Sequence, residues 1–118
     1  GAEVQRAWRR YWGFVPGDLA ERVATRSLAE KLLAGAIGQY GHNAVGRADH
    51  GALLEALRRP MLALAGSREL LREESEEAAR RSAWVSFREC DDAGIFVADE
   101  QPDELARVID EFLRGPLA

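Results

Sequence analysis

Chemistry has few places to sit in this sequence. There are two histidines, His42 and His50, one cysteine, Cys90, and three acids in glycine-flanked or turn-like contexts, Glu69, Asp91 and Asp92. Acid–base or nucleophilic work needs a nucleophile within hydrogen-bond reach of a base held by a third group. No G-x-S-x-G elbow occurs here, and no glycine-rich phosphate loop. No His, Cys and Asp recur at ligand spacing, so neither a metal nor a cofactor is expected. Cys90, beside two acids, should keep an unactivated thiol. Asp91-Asp92 reads either as a carboxylate pair or as an acidic turn, the commoner setting for aspartate. His42 and His50 could each approach a pocket or serve as a loop or capping residue. Glu69 falls just past an apolar run, where parallel α/β folds place reactive loops, and is otherwise a surface glutamate. Trp8, Trp12, Phe14 and Tyr40 could shape an apolar ligand site or an interface, or act as core anchors.

The elements that must carry these residues run from Pro60 to Arg114. Met61-Leu62-Ala63-Leu64-Ala65, between Pro60 and Gly66, reads as a strand buried on both faces, as in parallel sheets. Glu73 to Arg81 reads as a helix; its early acids and late arginines match the helix dipole, which favours a solvated helix over an acidic binding site. Trp84 to Glu89 reads as a second strand. The closing helix is the plainest element: Leu105, Val108, Ile109, Phe112 and Leu113 form one apolar stripe. Pro102 suits its first turn, Asp103 and Glu104 its positive end, and Gly115-Pro116 its stop. This order is a βαβα unit with parallel strands and a right-handed crossover.

Before Pro60 the pattern is helical. Glu3 to Phe14 places Val4, Trp8, Tyr11 and Trp12 near one face, and Phe14-Val15-Pro16-Gly17 is a turn. Asp18…Glu21 and Ser27…Glu30 have capping-box spacing, and the second is expected to open a helix with Leu28, Leu32, Leu33 and Ala36-Ile37 on one side. Gly35 and Gly38 weaken that helix. Tyr40 to Gly46 reads as a loop. Asp49 could cap a short helix carrying Leu53, Leu54 and Leu57.

Length and charge set bounds. The 118 residues make one domain or part of one, and 47% hydrophobic content excludes wholesale disorder. A net charge of −4 gives a nucleic-acid role no electrostatic support. No stretch approaches the roughly 18 apolar residues of a membrane span, and no signal-peptide pattern is present, so a cytoplasmic, non-membrane protein is expected. A lone cysteine excludes an internal disulfide. Two strands cannot bury a sheet of their own. The chain therefore either rearranges, pairs with itself, or completes a sheet supplied by another polypeptide, and the last is the favoured expectation.

Residues 19 to 115 resemble the C-terminal end of an α/β-hydrolase-fold protein. The resemblance rests on Pro60-Met61-Leu62-Ala63-Leu64-Ala65-Gly66, on the closing helix Glu100-Gln101-Pro102-Asp103-Glu104-Leu105-Ala106-Arg107-Val108-Ile109-Asp110-Glu111-Phe112-Leu113, and on a cap-like run. That run is Leu32-Leu33-Ala34-Gly35, then Tyr40, then Asp49 through Leu53-Leu54 and Leu57 to Pro60. It implies a partial α/β-hydrolase fold: a helical cap-like segment over residues 1–59 and a βαβα core part over 60–118. The nucleophile elbow would then lie on a separate N-terminal chain. Glu69 falls at the position of the triad acid. Gly94 aligns with the glycine of the family's Gly-His loop, which puts Ile95 where the catalytic histidine stands, and isoleucine transfers no proton.

Three functions follow from that resemblance. In the first, the chain and its partner enclose an apolar pocket, shaped by Trp8, Trp12, Phe14, Tyr40, His42 and Ile95, for a small apolar ligand. Its chemistry would be unconventional, a cofactor-independent cyclisation or isomerisation, or binding alone. In the second, the chain is a non-catalytic interaction or stabilising module. In the third, it is an active ester or C–X hydrolase whose base comes from elsewhere, such as His42 or the partner.

Overall fold

A computed structural model describes residues 1–115, and the contacts divide the chain after Asp49. The first unit begins with α1 (Ala2–Trp12), which packs on α2 (Leu19–Ala34) through the intervening turn. Gly17, at φ +63°, takes the left-handed conformation that this turn requires. Ala20, Val23, Ala24 and Ser27 are buried at i, i+3, i+4 and i+7, so they form the seam of α2. Val15 closes one end of this small core.

Neither capping box forms. Asp18 is the N-cap residue of α2, but its backbone is helical (φ −68°, ψ −17°) rather than extended, and its side chain makes no capping bond. Ser27 opens no helix; it lies inside α2, where a small buried side chain lets the two helices approach. A local capping signature yields here to a tertiary seam. Gly35, at φ +53°, ends α2 and leads through a 3₁₀ turn (Gly35–Ile37) into α3 (Gly38–Arg47). The stretch from Tyr40 to Gly46, expected as a loop, is therefore helical. Its glycines keep helical geometry once Gly35 has redirected the chain, and Gln39 bonds to Asn43 one turn on (3.3 Å). The apolar side expected over Leu28 to Ile37 is not buried: Leu28 is half-buried, and Leu32, Leu33 and Ile37 are exposed.

The second unit contains α4 (His50–Ala56), β1 (Met61–Gly66), α5 (Arg72–Arg81), β2 (Val85–Cys90), α6 (Val97–Glu100) and α7 (Pro102–Arg114). α4 belongs here rather than with the preceding helices, and Glu55 reaches Arg81 of α5 (3.4 Å). The fold class is mixed α/β with a two-stranded parallel sheet, paired from Met61↔Val85 to Gly66↔Cys90. β2 starts one residue later than its aromatic start suggests, and Trp84 instead offers its carbonyl to the Met61 N–H (2.9 Å).

Residues in register share a face. On one face Arg72, at the start of α5, stacks over Phe87 (5.8 Å) and pairs with Glu89. On the other, Leu62, Ser86 and Arg88 line a cleft of about 280 Å³ with Val108 and Phe112 of α7. Of the α7 stripe, Val108 is buried, Leu105 and Phe112 are half-buried, and Ile109 and Leu113 stay exposed. Gly115 has extended geometry (φ −62°, ψ 159°) and ends α7; Pro116, the second half of the expected stop, lies outside the described residues.

Candidate functional site at the carboxyl edge of the sheet

Parallel strands direct their carboxyl ends at the loops where α/β folds do chemistry. Here those loops are Ser67-Arg68-Glu69 after β1 and Asp91-Asp92-Ala93-Gly94 after β2. They cross in close contact. Ser67 N–H donates to Cys90 O (3.0 Å) and Arg68 N–H to Ala93 O (2.9 Å). A side chain at Gly66 would collide with the Ala93 and Gly94 backbone, so glycine is dictated by space and not by an unusual φ.

An ion-pair cluster locks the crossing. The Arg68 guanidinium reaches Glu100 Oε2 (2.6 Å), Asp92 Oδ1 (3.2 Å) and Asp92 O (3.1 Å). Glu100, its side chain 5% exposed, accepts from Gly94 N–H with its other oxygen (3.0 Å). Gln101 donates to Asp91 O (2.7 Å), and Asp92 N–H donates to Ser67 Oγ (2.9 Å). Asp92 sits at φ +51°, a turn conformation that aspartate tolerates. Asp91 and Asp92 thus act as turn residues, with Asp92 tied to Arg68.

Glu69 takes a role its position does not announce. Its Oε2 accepts from the Gly66 N–H (3.4 Å), and its own N–H donates to Gly66 O (3.0 Å). The carboxylate is folded back on its own strand end. Ile95 is 51% exposed. Cys90 is fully buried; burial, and then the negative charge of Glu104, push its thiol above the ordinary value, against the opposing pull of Arg107. That thiol is a packing group.

The remaining sequence-derived candidates lie in the first unit. Trp8, half-buried, donates to Thr25 Oγ1 (3.2 Å), and Trp12, 40% exposed, tilts over it at 4.6 Å between ring centroids. Phe14 lies under Arg10 (5.9 Å) and edge-on to Tyr11 (6.4 Å). Tyr40 and His42 are exposed on α3. The structure therefore brings Trp8 and Trp12 together in the α1–α2 hairpin. Glu69 and Ile95 belong to the second unit.

Sequence reasoning passed over the Arg68–Glu100 pair. Its members are far apart in the chain, and the one local hint is an acid placed just before the helix-opening Gln101-Pro102. A second cleft, of about 400 Å³, lies between α4 and α5, lined by His50, Leu53, Leu54, Leu57, Met61 and Ala78. Among the described residues no cluster of His, Cys, Asp and Glu is placed to hold a metal, and no helix is long and apolar enough to cross a membrane. Compared with known proteins, the chain matches no family model, no curated protein and no solved structure.

Proposed function

We propose that this chain is the C-terminal part of an α/β-hydrolase-like core whose remaining strands come from another polypeptide, and that the assembly binds a small apolar ligand without a conventional triad. The observation that carries the reading is β1. Met61, Leu62, Ala63 and Leu64 are apolar on both faces and yet only half-buried, although strands of this composition belong in the interior of parallel sheets. The ligand would sit by Trp8, Trp12, Phe14, Tyr40 and His42 of the first unit, which the resemblance implies as pocket residues. Binding of such a ligand needs no base at Ile95, and the resemblance also allows a cofactor-independent cyclisation or isomerisation.

The Glu69 carboxylate, bonded to Gly66, favours assembly and binding over acid–base work. A non-catalytic stabilising module is the second reading supported by the same contact. The mass of the native assembly, from light scattering with mass spectrometry of its components, tests the proposal. A second, different chain carrying a nucleophile elbow is expected. A monomer that unfolds cooperatively on its own, or an oligomer of this chain alone, would overturn it.

A further inference from the structure

The outer edge of β1 is open over a length that the chain itself limits. In a parallel pair, alternate residues turn both backbone groups to the neighbouring strand, and those between turn theirs away. Met61 N–H donates to Trp84 O and Ser67 N–H to Cys90 O, so residues 61, 63, 65 and 67 face β2. Pro60, Leu62, Leu64 and Gly66 face outward. Pro60 has no N–H to offer. At Gly66 both groups are taken by Glu69. Among the described residues, what is left is the C=O of Pro60 and the N–H and C=O of Leu62 and of Leu64.

An apolar face can be covered by many things; a row of backbone donors and acceptors asks for a strand. The flanking side chains say which kind. Leu62 and Leu64 lie on the α7 face, Met61 and Ala63 on the α5 face, and all four are half-exposed. β2 differs, with exposed Ser86, Arg88 and Glu89, the polar decoration of a natural sheet edge. Residues 50–118 hold fifteen acidic and nine basic residues, so two copies would approach each other with like net charge. Helices pack on the sheet as they do in parallel architectures.

We infer that the outer edge of β1 at Leu62 and Leu64 takes a parallel strand, apolar on both faces, from a different polypeptide, and that Glu69 closes the edge at Gly66 and so sets that strand's register. The inference rests on the larger sheet proposed above and adds the edge, the window and the register device.

The test is amide exchange by NMR on the full chain, with a synthetic peptide of about seven residues, Val and Ile between terminal lysines, as the probe. In the free chain the Leu62 and Leu64 amides exchange faster than those of Met61, Ala63 and Ala65. The peptide slows the first two by about tenfold or more. It leaves Gly66 unchanged in the parent but slows it in Glu69→Ala, and a nitroxide on its amino end broadens Met61 rather than Gly66. Leu64→Pro removes an N–H that the β1–β2 pair does not use, so the variant keeps the Ala63 and Ala65 protection and loses the peptide effect.

Protection of Leu62 and Leu64 in the free chain at every concentration would overturn the inference, because the edge would be covered from within. Protection that grows with protein concentration would assign the edge to a second copy. No effect of the peptide, an equal effect of a Ser/Asn peptide, or broadening at Gly66 would also sink it. A hetero-assembly found by mass with an inert edge would remove only this inference. A peptide-binding edge on a chain that assembles with nothing would remove only the proposed function.

Discussion

Gly66→Ala is the sharpest perturbation that the fold offers. Its Cβ would lie 2.5 Å from Ala93 C and 2.8 Å from Gly94 O, where ordinary contact begins near 3.4 Å. The two crossing loops must then part by about 1 Å, against rigid backbone rather than a yielding side chain. That displacement stretches the Ser67–Cys90 and Arg68–Ala93 hydrogen bonds, now 3.0 and 2.9 Å, out of bonding range. Two lost bonds at about 1 kcal/mol each, plus overpacking of about 1–2 kcal/mol, give a loss of about 3–4 kcal/mol. In a unit of this size that lowers Tm by more than about 10 °C. Urea and thermal unfolding followed by circular dichroism read it, with Gly46→Ala as the control, because a Cβ at Gly46 meets nothing. A Tm within about 2 °C of the parent would refute the argument that the loop crossing holds this unit together.

Other expectations follow from the same contacts. Glu100→Gln keeps an acceptor for Gly94 N–H but loses the charge facing Arg68, for a loss of about 1 kcal/mol; Glu100→Ala also orphans that N–H and loses about 2–3 kcal/mol, both measured as urea midpoints. The hydrogen bond from Arg107 holds Glu104 below its ordinary value, so its contribution is present above that value and is lost as pH falls through the lowered one; Glu104→Gln should flatten that part of the acid limb. Cys90 runs the other way: its raised thiol stabilises the fold below 9.0, and that contribution disappears as pH climbs through the raised value. At neutral pH a thiol reagent should label Cys90 slowly in the native chain and rapidly in denaturant, and equal rates would contradict its burial. Val23→Ala, at the centre of the α1–α2 seam, should cost about 2 kcal/mol, read from the near-ultraviolet signal of the Trp8–Trp12 pair.

What could be read in advance was local and periodic. The α7 stripe, with Pro102 at its start, and the apolar run of β1 each stand on a handful of neighbouring residues, and both elements are where the pattern puts them. Ser27 and Asp18 misled because capping spacing is only a preference, and the burial of Ser27 against α1 is decided by a partner helix that no local window contains. Tyr40 to Gly46 misled for a related reason: glycine permits a loop but does not demand one, and of the glycines from 35 to 46 only Gly35 has a positive φ. The carboxyl-edge cluster was half legible. Its loops were placed, but the pairing of Arg68 with Glu100 depends on how two turns cross.

Glu69 shows why position alone is a weak guide to role. At the end of a parallel strand a carboxylate can face the open loop region, where it would orient an imidazole, or turn sideways to the strand's own edge. The choice is set by backbone parity: Gly66 faces away from β2, so its N–H is unpaired and lies within reach of a side chain three residues on. Had β1 paired one residue out of register, that N–H would have gone to β2 and left Glu69 nothing to bind. Parity is invisible in side-chain composition, which marks β1 as an interior strand but not which backbone groups remain to be paired. The edge at Leu62 and Leu64 and the folded-back Glu69 are therefore two consequences of one register, and a change that shifts it should alter both together.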